Sequence, residues 1–253
     1  MITTLEVLLS PAEFAVLRDR DLSQTVCVVL DILRATTSIV TALANGAQAI
    51  IPVAEISEAL ALRQQRPGVL LAGEREGLRI RGDLADGADF DLGNSPREFT
   101  AERVQGKTIV MTTTNGTRAL RACAGAKAVL VSSFLNLRAT YLWLIERRPE
   151  HLLLVCSGTH NEPALEDTLA AGALCERIWN HYAGGHTSDS AEIARRIYPL
   201  MQYDLLGAMK HSRNGRRLLA NPELRSDVWY SVQRETIPFV ARLLPDGSVR
   251  RDS

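Results

Sequence analysis

The sequence predicts an α/β fold: a mostly parallel sheet with helices on both faces, built around two similar strand–turn–helix–strand units. The first observation is an internal echo. Residues 28–53 read VVLDILRATTSIVTALANGAQAIIPV, and residues 107–132 read KTIVMTTTNGTRALRACAGAKAVLVS, 79 positions later. In each, an apolar run meets a Thr-rich turn, an Ala/Leu helical pattern follows, and a Gly-Ala pair leads into a second apolar run. The second observation is alternation of strand and helix patterns along the chain, which favours a parallel sheet covered on both faces. The third is residues 25–31, continuously apolar up to a terminal acid, as in a strand buried on both sides.

The elements follow in order. Residues 2–9 suggest a strand, and Ser10-Pro11 a cap with Pro at the first helical position. After the 25–31 strand, residues 35–44 form a helix closed by Asn45-Gly46. Residues 49–53 are a strand, 57–65 a helix stopped by Pro67-Gly68, and 69–72 a short strand ending in Gly73-Glu74-Arg75. Residues 76–100, rich in Gly and Asp and without periodicity, read as a long loop, a class that is usually functional or disordered. Order is expected to return at Thr108 with the second unit. A helix over 136–148, a strand over 152–156 and a Pro-initiated helix over 163–182 follow. Residues 183–190 read as a flexible connection, then a helical hairpin runs to about Leu219, a last helix begins after Ser226, and Pro245-Asp246-Gly247 marks a turn.

Composition bounds the function. The 253 residues, 46% of them apolar, suffice for a packed core, and one domain over 1–253 is expected. Lys plus Arg equals Asp plus Glu at 29 each, so no net field favours nucleic acid or an anionic membrane. Cys27, Cys123, Cys156 and Cys175 lack any metal-type spacing and are expected as buried free thiols. The N-terminal stretch has no basic region and breaks at Pro11, unlike a signal peptide, so a cytoplasmic protein is expected.

Ligands of such sheets sit beyond the carboxyl ends of the strands. The chain's unusual residues fall there: Asp31 to Arg34, Gly73 to Arg75, Thr112 to Asn115 and Ser157 to His160. Both hydroxyl-rich turns feed helix N-termini, which favour anions. A carboxylate at Asp31 can ligate a hard cation or attack phosphorus, while Thr36 and Thr37 cap the helix and bond phosphate oxygens. Thr114, Asn115, Gly116, Thr117 and Arg118 suit a bound oxyanion, and Arg34, Arg75 and Arg118 are expected to converge on it. Asp31, Glu74 and Asp167 are the catalytic candidates. Asp31, Asp91 and Glu166 are the candidates for Mg²⁺ ligation, with Asn94 beside them as a substrate contact. Walker A, HExxH, GxSxG and dinucleotide fingerprints are absent, and LDILRATT departs from the DxDxT phosphatase signature at Leu33 and Ala35.

The runs DILRATTSIVTALANGA, LLAGEREG, FDLGNSP, GKTIVMTTTNGTRAL and LEDTLAAG, with SRNGRRL at 212–218, resemble the 2-phosphosulfolactate phosphatases, the ComB family of coenzyme M biosynthesis. The resemblance implies Mg²⁺-dependent hydrolysis of (2R)-2-phospho-3-sulfolactate to 3-sulfolactate and phosphate, with an acidic nucleophile. It makes a small anionic phosphoester the expected partner, or a related phosphorylated hydroxy acid where no coenzyme M is made. Two other readings share the anion contacts: a non-hydrolytic binding protein, and a lyase or transferase for a phosphorylated hydroxy acid. A homodimer is the default expectation from base rates.

Overall fold

The computed structural model describes residues 2–252. Strand β1 (Thr4–Leu8) leads through a 3₁₀ turn at Pro11–Glu13 into α1 (Phe14–Arg18). The first unit is β2 (Thr25–Leu30), α2 (Ala35–Ala44) and β3 (Ala49–Pro52), followed by α3 (Ile56–Gln65), β4 (Leu70–Arg75) and β5 (Leu78–Arg79). After α4 (Ala101–Val104), the second unit is β6 (Thr108–Thr112), α5 (Gly116–Ala122) and β7 (Ala128–Ser132). Then come α6 (Leu137–Arg147), β8 (His151–Cys156), α7 (Leu165–Tyr182), β9 (His186–Thr187), α8 (Asp189–Met201), α9 (Leu205–Met209), α10 (Arg213–Ala220) and α11 (Arg225–Ser231). A hairpin of β10 (Ala241–Leu243) and β11 (Val249–Arg251) ends the described chain.

All eleven strands join one sheet in the order β5-β4-β6-β3-β11-β10-β7-β2-β8-β1-β9. The units interlock rather than lie side by side: β2 pairs parallel with β7, and β6 parallel with β3. From β4 to β8 the order is a palindrome in which β2 exchanges with β6, β3 with β7, β4 with β8 and β10 with β11. The antiparallel β10–β11 pair lies at its centre, as a pseudo-two-fold axis requires, and turns the two parallel blocks against each other. Six strand steps separate β4 from β2, and a twist of roughly 20–25° per step nearly cancels that reversal. Residues at the carboxyl ends of both blocks line one cavity.

Packing follows the strand period. In β2, Cys27 and Val29 face inward, onto a cluster holding Ile39, Val40, Leu43, Ala119 and Leu120 of α2 and α5. Val26, Val28 and Leu30 face outward, onto the cluster that holds α7 and α8. Residues Ala35 to Leu43 of α2 are all buried, because sheet covers the helix on several sides. Over β4 and β6, Ala59 of α3 packs with Leu71 and Val110.

Several expectations change. The 76–100 segment is largely irregular but anchored: Ile80, Leu92 and Phe99 are fully buried. Order resumes at Ala101 rather than Thr108. The connection expected to be flexible carries β9, paired with β1. The β10–β11 strands, read from sequence only as a turn, are central to the sheet. All four cysteines are buried free thiols, as expected. Among the described residues, no helix is long and apolar enough to cross a membrane.

Candidate active site

A cavity of about 530 Å³ opens where β2, β4, β6 and β8 end. Asp31, Arg34, Glu74, Arg75, Asn94, Thr114 and Asn115 line it, as do His160, Asn214 and Arg217. The turn after β2 is folded by its own side chains. Asp31 Oδ1 accepts from Ala35 N–H at 3.0 Å, capping α2, and Thr36 Oγ1 donates to the Asp31 carbonyl at 2.9 Å. Thr37 Oγ1 donates to the Ile32 carbonyl. The hydroxyls of Thr36 and Thr37 are therefore held by the turn's backbone and do not line the cavity. The Leu33–Arg34 peptide is cis.

The α5 turn repeats this economy. Thr117 N–H donates to Thr113 Oγ1 and Thr113 N–H to Thr117 Oγ1, both at 3.2 Å, which fixes the helix start. Gly116 is where the two units touch: a Cβ there would stand 2.6 Å from both Ala35 Cβ and Asp31 Oδ2. Glycine is required by that approach. It leaves Oδ2 of Asp31 beside the start of α5 and turned towards the cavity.

Three further acids surround Asp31. Glu74 accepts from Gly77 N–H at 2.7 Å through Oε2, and from Thr114 N–H and Oγ1 at 2.9 Å through Oε1, so it clamps the β4–β5 tip to the α5 turn. Asp167 accepts from Ile32 N–H at 2.8 Å and Gly158 N–H at 3.0 Å, binding the ends of β2 and β8 together. Glu166 accepts from Asn214 Nδ2 at 2.7 Å through Oε1, while its Oε2 is buried with no protein partner. None of the four forms an ion pair among the described residues. Burial pushes the Asp31 carboxyl up to about 7; the Ala35 bond pulls it back, Glu74 and Glu166 push it up, and Arg34 opposes them. Burial likewise raises Glu166, and raises Asp167 further with help from Asp31 and Glu166.

The cations divide by exposure. Arg34 is buried and donates to Asp227 Oδ2 at 2.7 Å and to the Gly77 carbonyl at 2.6 Å. Asp227 also accepts from Ser95 Oγ and Arg97 Nε. Arg75 donates to Thr112 Oγ1 at 3.1 Å. Arg217 is exposed and lies against Gly77, its guanidinium carbon 3.6 Å from where a Gly77 Cβ would stand.

Gly116, Thr117, Glu166 and Asp167 are buried and, like Thr36 and Thr37, do not line the cavity, and two expected members lie elsewhere altogether. Arg118 is exposed and borders a separate depression with Arg20 and Arg121, because it points away from the α5 face that meets α2. The arginines gathered around the cavity are instead Arg34, Arg75 and Arg217. Asp91 does not line the cavity: its Oδ2 pairs with Arg63 and accepts from Leu71 N–H. Sequence reasoning missed Asn214, Arg217 and Asp227. The first two sit in the SRNGRRL run, whose chemistry could have been followed further. Asp227, in RSDVWYS, reads as an ordinary surface acid, and only the fold reveals its burial.

A family model described as 2-phosphosulpholactate phosphatase matches residues 14–244, which take in every residue that lines the cavity and end just after β10. The chain belongs to that family. It is 42% identical over 193 residues to a probable 2-phosphosulfolactate phosphatase of Thermotoga petrophila, covering 76% of this chain and 78% of the relative. A protein of the same description from Caldanaerobacter subterraneus is 40% identical over 204 residues, covering 80% and 81%. One from Symbiobacterium thermophilum is 38% identical over 225 residues, covering 87% and 91%.

Proposed function

We propose that this family member hydrolyses 2-phospho-3-sulfolactate to 3-sulfolactate and phosphate in a Mg²⁺-dependent reaction. The observation that supports it best is the charge imbalance at the cavity. Glu166 acts electrostatically on Asp31, both act on Asp167, and none of the three is ion-paired among the described residues. Such an arrangement costs several kcal/mol per ion unless protons or a cation offset it. A phosphate ligand alone would worsen that repulsion, so a site made only to bind anions has no use for these acids.

Among the described residues, no three His, Cys, Asp or Glu side chains are already gathered to hold a metal. Mg²⁺ does not need such a cage, since it commonly takes one or two carboxylates with water and substrate phosphate. Asp31 and the unpartnered Oε2 of Glu166 fit that role. When bound, the ion supplies charge neutralisation between the carboxylates and the phosphoryl oxygens.

The protein's own groups do the remaining work. Asp31 is the essential carboxylate, because Glu74 and Asp167 spend both oxygens on fixing loops while Asp31 keeps one facing the cavity. It acts as nucleophile on phosphorus or as cation ligand. Arg75 and Arg217, with Asn94 and Asn115, hold the anionic substrate; Arg34, matched by Asp227, shapes the wall.

The test is phosphate release from 2-phosphosulfolactate with Mg²⁺ and with EDTA, for the wild type and a folded Asp31→Asn variant. Turnover should require Mg²⁺ and collapse by at least about 100-fold in the variant. No release from any phosphorylated hydroxy acid would sink the hydrolytic reading. Near-normal Mg²⁺-dependent turnover by Asp31→Asn would remove Asp31 from both roles, and a phosphoryl group trapped on Asp31 would identify the nucleophile.

A further inference from the structure

We infer that Arg217 is the specificity-determining residue that binds the substrate's C3 sulfonate, an inference resting on the phosphatase reading above. Three observations carry it. Arg217 lines the cavity that Asp31 lines, yet it comes from α10, outside the two repeated units. It forms no ion pair or hydrogen bond among the described residues, whereas Arg34 is already matched by Asp227 and Arg75 donates to Thr112 and to the Glu74 carbonyl. It is also exposed, so it stands on the solvent side of the cavity while Arg34 is buried in its wall.

The placement is enforced from one helix. Ser212 caps α10 by accepting from Gly215 N–H at 2.9 Å, and Asn214 donates to both Thr159 Oγ1 and Glu166 Oε1 at 2.7 Å. Arg217 stands three residues on, so it shares the face of α10 that Asn214 presents to the site. The same helix therefore orients a buried acid and brings up a guanidinium that acts on that acid through space yet has no hydrogen-bond or ion-pair partner among the described residues.

Substrate chemistry then decides which group meets it. The phosphate on C2 must approach Asp31. The C1 carboxylate is attached directly to C2, while the sulfonate extends one atom further through C3. The sulfonate is thus the carbon-borne anion that extends furthest from the phosphate-bearing carbon, and we assign it to the guanidinium of Arg217, which can give two parallel hydrogen bonds to its oxygens.

The experiment compares wild type, Arg217→Met and Arg217→Lys on three phosphoesters: 2-phosphosulfolactate, 2-phospholactate, which lacks the sulfonate, and phosphorylated isethionate, which lacks the carboxylate. For Arg217→Met, the ratio of kcat/KM for 2-phosphosulfolactate over 2-phospholactate should fall roughly tenfold or more, mainly through KM, with partial recovery in Arg217→Lys. An equal fall on both substrates would overturn the assignment. So would a fall on both carboxylate-bearing esters that is absent for phosphorylated isethionate, because that pattern would place the carboxylate at Arg217. Calorimetric binding of 3-sulfolactate gives an arm independent of turnover, and weaker binding to Arg217→Met is expected. If the wild type hydrolyses none of the esters, the phosphatase reading fails by itself, while equal 3-sulfolactate binding by wild type and variant would sink the sulfonate contact.

Discussion

Asp227 shows how much of the site depends on one residue that never faces the cavity. It is fully buried, and its carboxylate holds Arg34, whose other donor grips the β4–β5 tip at Gly77. Removing the acid strands a guanidinium that is 3% exposed. Asp227→Asn should therefore cost about 3–5 kcal/mol in urea unfolding, and Asp227→Asn combined with Arg34→Met should cost less than Asp227→Asn alone. A single-variant loss under about 1 kcal/mol would show that the pair is not the clasp it looks like. Asp31 gives the pH dependence. Its folded carboxyl is raised to about 7, so the folded chain keeps a proton that the unfolded chain has already released. That favours folding at the acid end, and the advantage is lost as pH rises through about 4 to 7. Raised Glu166 and Asp167 act in the same direction. In EDTA, the denaturant midpoint should be higher at pH 5.5 than at pH 8, and Asp31→Asn should flatten the difference. A midpoint that rises with pH equally in both proteins would contradict the buried-acid account.

At the scale of elements, the sequence was most legible where local chemistry and tertiary demand agree. Helix α2 occupies the predicted 35–44, because Asp31 and Thr36 start it and Gly46, at φ 88°, ends it. The strand ends also yielded Asp31, Arg34, Arg75, Thr114 and Asn115, since position in a parallel sheet alone places them near a ligand, while Asn94 came from the turn that closes the long loop. The hairpin was not legible. ARL and VRR are three-residue strands with too little alternation to stand out, and they are strands because β7 and β3 supply their partners. Arg217 and Asn214 were hidden for a related reason: tertiary packing, not spacing, carries α10 to the site. The α2–α5 contact offers a sharp test. Gly116→Ala would drive a Cβ into Ala35 and Asp31, so a stability loss of about 1–3 kcal/mol is expected. Activity should fall further than stability alone explains, because Asp31 must move. Unaltered urea midpoint and phosphate release would mean that the two helix starts are not in contact.

At the scale of the whole molecule, the palindromic strand order explains why the cavity exists at all. Each unit lends its first strand to the other's second, so the starts of α2 and α5 meet beside the pseudo-axis. The symmetry is broken in chemistry: one turn brings the acid Asp31, the other brings Thr114 and Asn115. This arrangement needs the C-terminal hairpin, because β10 and β11 fill the gap between β7 and β3 that would otherwise divide the sheet. Chain ends ordinarily fray and exchange their amides early. Here β10 pairs on both sides, with three register pairs to β7 and three to β11, and Ala241 and Val249 are fully buried in the inner core. Hydrogen exchange should therefore find the 241–243 amides protected to nearly the level of β2, a central strand. Protection in β11 should be lower, since it meets β3 at the single pair Val249 and Ile50. Exchange of β10 at the rate of the chain terminus would mean that the hairpin merely lies on the sheet. The two blocks would then lack the connection on which the shared cavity depends.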